Sequence, residues 1–311
     1  MRKGPIFVEA VLIAGVLLCI GFTAYAQASR SREDPILLKQ KTSLVTLTVT
    51  VTDRAGRAVT DLRPDEIEVF EDKVRQQVEF YGLADAPVSM GVIFDLSGSM
   101  STQLSRARDA LKALVETSHP RDEYFLMGFQ QRTRLLSEFT DGESMLRRLA
   151  SAEAHGSTAL YDAISLGIEK VKQGRHRKHV LLVISDGQDN ASRYQVDQLR
   201  RQMKEVDVQI YCIGVNQASL NDKAAWREER RGQMILDTLA QLTGGRSSFV
   251  HTAEALEAAT TRMALELRRQ YSLGYIPTNS QPDGRWRKIE VRITRSSVRV
   301  YARDGYFAAA E

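Results

Sequence analysis

The sequence predicts an α/β protein in which a doubly wound, mostly parallel sheet carries an accessory β-sheet or sandwich built from the two chain flanks. Between residues 87 and 270, continuous apolar segments alternate with segments whose apolar residues recur at helical spacing. This alternation is typical of parallel strands covered by helices on both faces. On either side of this core, apolar and polar residues alternate with period two, which indicates strands with one buried face.

Composition and charge place the chain among ordinary globular proteins. Its 311 residues include 43 Lys and Arg against 39 Asp and Glu, a formal net charge of +4, and 43% of them are hydrophobic. The length is sufficient for one large domain or two modest ones. Because basic and acidic residues are interleaved, the small positive excess does not predict binding to nucleic acid.

Residues 1–26 have the layout of a secretory signal peptide. Residues 1–4 are basic, residues 10–22 are apolar, and Ala24-Tyr25-Ala26 is an A-x-A pattern before a polar stretch. We therefore predict cleavage after Ala26, a linker over residues 27–39, and a secreted or periplasmic protein with no membrane span after cleavage.

Two other interpretations of this terminus are weaker. An uncleaved anchor would have to span a hydrocarbon core of about 30 Å with thirteen apolar residues, which cover only about 20 Å as a helix. A lipid anchor at Cys19 would require a small preceding residue, and Leu18 stands there.

The flanks are predicted to pair with each other. Residues 40–86 form an N-terminal β segment that begins with the strict alternation of residues 45–52. Residues 271–311 form a C-terminal β segment, with alternation over residues 289–293 and 298–302. Neither segment buries its apolar face alone, so we expect the two to form one accessory sheet or sandwich.

Elements of the core follow from the same patterns. Strands are predicted near residues 88–94, 124–129, 134–139, 180–184, 208–215 and 247–250. Helices are predicted near residues 104–115, 145–149, 160–171, 192–205, 236–242 and 253–271. The charged residues 226–231 are expected to form a solvated insertion, and Cys212 is expected to be a buried core residue.

Three polar segments are predicted to meet at the carboxyl edge of the sheet, where α/β proteins bind ligands. Asp95-Leu96-Ser97-Gly98-Ser99 follows the first core strand, Thr158 precedes a helix, and Asp186 follows a later strand. Alone, D-x-S-x-S would equally be a helix-capping turn. Together, the side-chain oxygens of Asp95, Ser97, Ser99, Thr158 and Asp186 are the ligands that Mg²⁺ prefers, with a position left open for a further carboxylate.

With these motifs, residues 87–270 resemble the von Willebrand factor type A (VWA) domain. The resemblance implies a Rossmann-like fold and a metal-ion-dependent adhesion site (MIDAS), whose D-x-S-x-S, Thr and Asp elements match all five residues named above. It also implies a divalent cation (Mg²⁺, or Mn²⁺ or Ca²⁺) and a protein partner that offers an Asp or Glu carboxylate.

The flanks are similar to secreted bacterial proteins described as VWFA-related, acidobacterial type. The matching segments are V-T-V-T-D at residues 49–53, F-E-D at 70–72, G-Y-I-P at 274–277, D-G-R at 283–285 and R-D-G-Y-F at 303–307.

These observations favour an exported, non-catalytic binding protein that captures an acidic side chain of a partner. The first alternative is an assembly or structural factor of the cell envelope, in which the metal only joins three loops. The second is a metal-assisted hydrolase with His155 or Asp189 as base. The sequence has no G-x-S-x-G, P-loop, dinucleotide-binding or H-E-x-x-H motif, so we predict no catalytic residue and no organic cofactor. Asp162 and Asp189 are expected to be capping or surface residues, with the orientation of waters or hydroxyls at the site as the alternative.

Overall fold

The computed structural model describes residues 44–152, 156–215 and 223–309. The predicted signal peptide, its cleavage site and the linker at residues 27–39 lie outside the described residues. Within the described ranges, no helix combines the length and the apolar character needed to cross a bilayer.

The described residues form fourteen strands and six α-helices. The strands are β1 (Val45–Asp53), β2 (Ile67–Glu71), β3 (Val74–Gln76), β4 (Val78–Ala84), β5 (Val88–Asp95), β6 (Glu123–Phe129), β7 (Thr133–Thr140), β8 (Lys178–Ser185), β9 (Gln209–Val215), β10 (Ser247–Val250), β11 (Gln270–Tyr275), β12 (Trp286–Ile293), β13 (Val298–Tyr301) and β14 (Gly305–Phe307). The helices are α1 (Leu104–Thr117), α2 (Gly142–Ala150), α3 (Leu160–Val171), α4 (Val196–Lys204), α5 (Lys223–Leu242) and α6 (Ala253–Leu267).

The central sheet confirms the predicted fold class. Its six strands follow the order β10-β9-β8-β5-β6-β7, and every pair is parallel except β6 with the edge strand β7. All eight residues of β5 are buried, because helices cover both faces of the sheet at its centre. The order changes direction at β5, so the crevice at the carboxyl end of this strand is the expected place for a ligand.

Helices on the two faces enclose separate apolar cores. Helices α1, α2 and α6 pack on one face, and α3, α4 and α5 pack on the other. In α1, Ala107, Ala110, Leu111 and Leu114 recur at intervals of three and four residues and are fully buried. Burying a leucine of this kind contributes about 2 kcal/mol relative to leaving it in water.

The two flanks form the accessory sandwich. One four-stranded sheet has the order β13-β1-β11-β4 and the other β14-β12-β2-β3, so each sheet combines strands from both ends of the described chain. Strand β1 pairs antiparallel with β11 and β13, and β2 pairs antiparallel with β12. Apolar residues of both sheets, among them Leu47, Val69 and Ile289, form a third core between them.

Two expectations about the helices were wrong. Residues 226–231 belong to helix α5 and not to an insertion. Their exposed surface carries no apolar stripe, but contacts between side chains four residues apart support the helix. The guanidinium of Arg230 lies 5.7 Å from the centre of the Trp226 ring, and the side chain of Gln233 donates a hydrogen bond to that of Glu229 at 3.2 Å. The last helix ends at Leu267 and not at Tyr271, which is a residue of β11.

Candidate functional site

The first site segment is organised around Asp95, the last residue of β5. The side chain of Asp95 is fully buried, with 0% of its surface exposed. Its Oδ1 accepts a hydrogen bond from the backbone N–H of Ser97 at 2.9 Å, and its Oδ2 accepts one from the hydroxyl of Ser185 at 2.7 Å. Ser185 is the last residue of the neighbouring strand β8, and its oxygen also accepts the N–H of Gly187 at 3.0 Å. Asp95 therefore joins the loop after β5 to the loop after β8.

Backbone contacts bring the second segment to the other two. The N–H of Gly98 donates to the carbonyl of Gly156 at 3.2 Å, which joins the loop after β5 to the Thr158 segment. The N–H of Thr158 donates to Oδ1 of Asn190 at 2.8 Å, and the N–H of Asn190 donates back to the carbonyl of Thr158 at 3.0 Å. The three predicted segments are thus connected pairwise at the carboxyl edge of the sheet.

The structure describes the side chains of four of the five predicted ligands. Ser97 and Thr158 are buried, with 2% and 4% of their surface exposed, and Asp186 is half-buried. The side chain of Ser99 lies outside the described part of the structure.

The electrostatics of the site are dominated by the burial of Asp95. Burial raises the pKa of Asp95 to about 6, hydrogen bonds from Ser97 and Ser185 oppose that rise, and the negative charge of Asp186 adds to it.

The donor set at this junction fits a hard cation. Within the described ranges there is no group of three or more His, Cys, Asp and Glu side chains arranged to hold a metal ion. A cation here would therefore depend on hydroxyl oxygens as well as on Asp95 and Asp186, which suits Mg²⁺ better than a metal that prefers sulfur or nitrogen. The Oε1 of Gln130 is buried beside Gly156 and accepts no hydrogen bond from any described residue.

Two further aspartates near the site hold the loops in place. Oδ1 of Asp189 accepts the N–H of Leu160 at 2.9 Å at the start of α3, together with the hydroxyl of Ser192 at 2.5 Å. Oδ1 of Asp162 accepts the N–H groups of residues 193 and 194 at 2.9 and 3.0 Å. The backbone contacts match the expected capping role, and Asp189 in addition orients the hydroxyl of Ser192. His155 lies outside the described residues.

The sequence patterns did not indicate three side chains of this junction, Ser185, Asn190 and Gln130. Ser185 stands next to Asp186, but it is the final residue of a strand, and only the register between β5 and β8 aims its hydroxyl at Asp95. Asn190 and Gln130 match no motif, since the contacts of Asn190 and the position of Gln130 beside Gly156 depend on where loops far apart in sequence meet.

Comparison with known proteins identifies the domain. Residues 90–225 match the family model of the von Willebrand factor type A domain. This chain carries a VWA domain. The VWA domain indicates a role in protein–protein interaction or adhesion. The family model leaves the accessory sandwich unmatched.

Solved structures are similar to this chain at low sequence identity, and the first one named here supports the fold. A VWA protein from Catenulispora acidiphila superposes with a TM-score of 0.50 at 12% identity, covering 84% of this chain and 63% of that one. An aerotolerance-related membrane protein from Bacteroides fragilis gives a TM-score of 0.46 at 18% identity, covering 58% of this chain and 98% of that one.

A curated relative is similar over a shorter stretch. It is an uncharacterized protein from Synechocystis sp., 25% identical over 109 residues, which are 33% of this chain. The match spans about a quarter, 26%, of that protein's length.

Proposed function

We propose that this chain is an exported binding protein whose VWA domain holds a divalent cation and captures an Asp or Glu side chain of a partner protein. The proposed ligands of the cation are Asp95, Ser97, Ser99, Thr158 and Asp186. The cation would be Mg²⁺, with Mn²⁺ and Ca²⁺ as alternatives. The proposal assigns no catalytic residue.

The observation that carries this proposal is the junction of three loops around the buried carboxylate of Asp95. Ser185 and the N–H of Ser97 fix both oxygens of Asp95 at the edge where the sheet order changes direction. When bound, a cation at this point would have its +2 charge balanced by the two carboxylates, while the neutral hydroxyls would leave a coordination position open that a further carboxylate can fill.

Cation binding is tested first, by calorimetric titration of the purified chain with MgCl₂ and with MnCl₂. Asp95→Asn keeps the shape of the side chain but removes its charge, so we expect the cation affinity to fall about tenfold or more. Asp122→Asn is the matched control, because Asp122 accepts the N–H of Val88 at 2.7 Å at the opposite end of β5. Equal cation affinity in wild type and Asp95→Asn would contradict the proposal.

Partner capture is tested by pull-down from an envelope extract of the source cells, first with Mg²⁺ and then with EDTA. We expect a protein that is retained by wild type and Asp122→Asn, released by EDTA, and absent with Asp95→Asn. Amidation of the carboxylates in the extract should abolish its capture. Capture that survives both EDTA and Asp95→Asn would show that binding uses another surface.

The same reagents separate the two alternatives. Cation binding without any cation-dependent partner would favour a structural metal in an envelope assembly factor. Cation-dependent turnover of phosphoesters or peptides that is lost in Ser97→Ala would favour a hydrolase.

A further inference from the structure

A cavity of about 220 Å³ lies between helix α6 of the VWA domain and the accessory sandwich. Four arginines from separate segments line it. Arg54 follows β1, Arg246 precedes β10, Arg262 is on α6, and Arg299 is on β13. Among the described residues that line the cavity, Glu266 of α6 is the acidic one.

The charge of Glu266 is already satisfied within the protein. Glu266 is buried, with 6% of its surface exposed, and its Oε2 lies 2.6 Å from Nη1 of Arg246. Its Oε1 accepts a hydrogen bond from the hydroxyl of Tyr211 at 2.9 Å. The guanidinium of Arg246 also lies 4.8 Å from the centre of the Tyr301 ring, which fixes its orientation. Arg246 and Glu266 thus form an ion pair with no net charge in the lining of the cavity.

The other three guanidinium groups have no such counter-charge. No described residue forms an ion pair or hydrogen bond with the side chain of Arg54, Arg262 or Arg299, and all three residues are exposed. The four arginines and one glutamate give the lining a formal charge of +3. The whole 311-residue chain carries only +4, so this concentration is not an average property of its surface. Like charges held around a small cavity repel each other, and a bound anion would relieve that repulsion.

We propose that this cavity binds a small polyvalent oxyanion of the phosphate-ester or diphosphate class. Guanidinium groups recognise phosphate oxygens through paired, charge-assisted hydrogen bonds, and several of them converging from different segments suit an anion with more than one charge. The volume is below the roughly 300–1,000 Å³ of cavities that hold drug-sized ligands, which favours a compact anion.

This site is separate from the candidate metal centre. The cavity is lined by Tyr211 and Ile213 of β9 and by α6, whereas the metal centre lies at the ends of β5 and β8. Arg54 and Arg299 belong to the sandwich, while Arg246 and Arg262 belong to the VWA domain. A bound anion would therefore connect the two parts of the molecule and stabilise the folded chain by mass action.

The test measures pyrophosphate binding to the purified full chain by calorimetry and by the shift in melting temperature, at constant ionic strength. EDTA is present throughout, so that binding through a divalent cation is removed. We expect saturable binding to wild type, and at least a tenfold loss of affinity in the double variant Arg262→Gln/Arg299→Gln. Arg201→Gln is the matched control, since Arg201 is an exposed helical arginine without an ion pair among the described residues, and it should bind like wild type.

A lipid headgroup offers the same phosphate chemistry, so vesicles of phosphatidylcholine with phosphatidic acid form a second arm. Vesicle binding that is lost in the double variant, without pyrophosphate binding, would support the site and identify its source as a lipid. The proposal is overturned if neither probe binds, if the double variant and Arg201→Gln bind equally, or if chloride at matched ionic strength raises the melting temperature as much as pyrophosphate. Circular dichroism of each variant confirms that these exposed substitutions leave the fold intact.

Discussion

The buried carboxylate of Glu71 gives the most quantitative prediction for the accessory sandwich. Glu71 is the last residue of β2 and is 2% exposed. Its Oε2 accepts hydrogen bonds from the hydroxyl of Tyr275 at 2.7 Å and from the hydroxyl of Tyr306 at 2.9 Å. Tyr275 belongs to β11 in the opposite sheet and Tyr306 to β14, so one oxygen atom joins both sheets.

Tyr275→Phe removes one of these donors without changing the packing of the ring. Burial, and then the hydrogen bond and the negative charge of Glu71, raise the pKa of Tyr275, so its hydroxyl stays protonated and continues to donate. A hydrogen bond to a charged group contributes about 1.5–3 kcal/mol, and we expect the free energy of unfolding to fall by that amount. In a Glu71→Ala background the hydroxyl has lost its acceptor, so the same substitution should cost less than about 1 kcal/mol.

Wild type, Tyr275→Phe, Glu71→Ala and the double variant form a double-mutant cycle. Urea denaturation of these four proteins measures the coupling free energy between Tyr275 and Glu71, provided that the denaturant dependence of the unfolding free energy is the same in each. Tyr194→Phe is the control, because Tyr194 is 46% exposed and its hydroxyl has no described partner; we expect a change within about 0.5 kcal/mol. The reasoning is refuted if Tyr275→Phe costs the same amount with and without Glu71.

Three more predictions concern the α/β part of the molecule. Gly187 has a φ of +84°, and a Cβ there would lie 2.7 Å from the backbone of Gly232. Gly187→Ala should therefore destabilise the chain by about 2 kcal/mol or more, as measured by thermal unfolding. It should also weaken Mg²⁺ binding, as measured by calorimetry. Arg246→Met leaves the buried carboxylate of Glu266 unpaired and should cost about 3–5 kcal/mol in urea denaturation, and adding Glu266→Gln should recover part of that loss. Burial lowers the pKa of Lys178 from 10.5 to about 8, so this side chain binds more protons in the unfolded chain between these pH values, and its own contribution to the free energy of unfolding should rise with pH across that window, by up to about 3 kcal/mol. In Lys178→Met this rise should disappear when unfolding is measured at pH 7.5 and pH 10.

The fold was largely predictable because its patterns are local. Strand β5 is mostly apolar from Val88 to Phe94, β1 alternates strictly, and the spacing of residues 160–171 specifies α3. The sequence did not predict the start of α5, because the exposed part of this helix is stabilised by contacts between charged and aromatic side chains and has no apolar stripe. The end of α6 was misplaced because Tyr271 fits both a helical position and a strand position.

The sequence predicted which segments meet at the site, but it did not predict every contact between them. Asp95, Thr158 and Asp186 are marked by their positions after strands or before a helix, and the structure brings those segments together. The hydrogen bond from Ser185 to Asp95 depends on the register of two parallel strands, which no local pattern encodes. Whether a cation binds there stays a prediction that the titrations above will test.

The pairing of β1 with β11 and β13 has a consequence for the order of events during synthesis. Val45 lies opposite Tyr275, and Thr50 opposite Tyr301, so β1 lacks both of its strand partners until residues 270–301 have left the ribosome. Contacts so distant in sequence slow folding and leave an apolar strand unprotected in the meantime. Nascent chains that stop before residue 270 should therefore be the ones that chaperones retain longest.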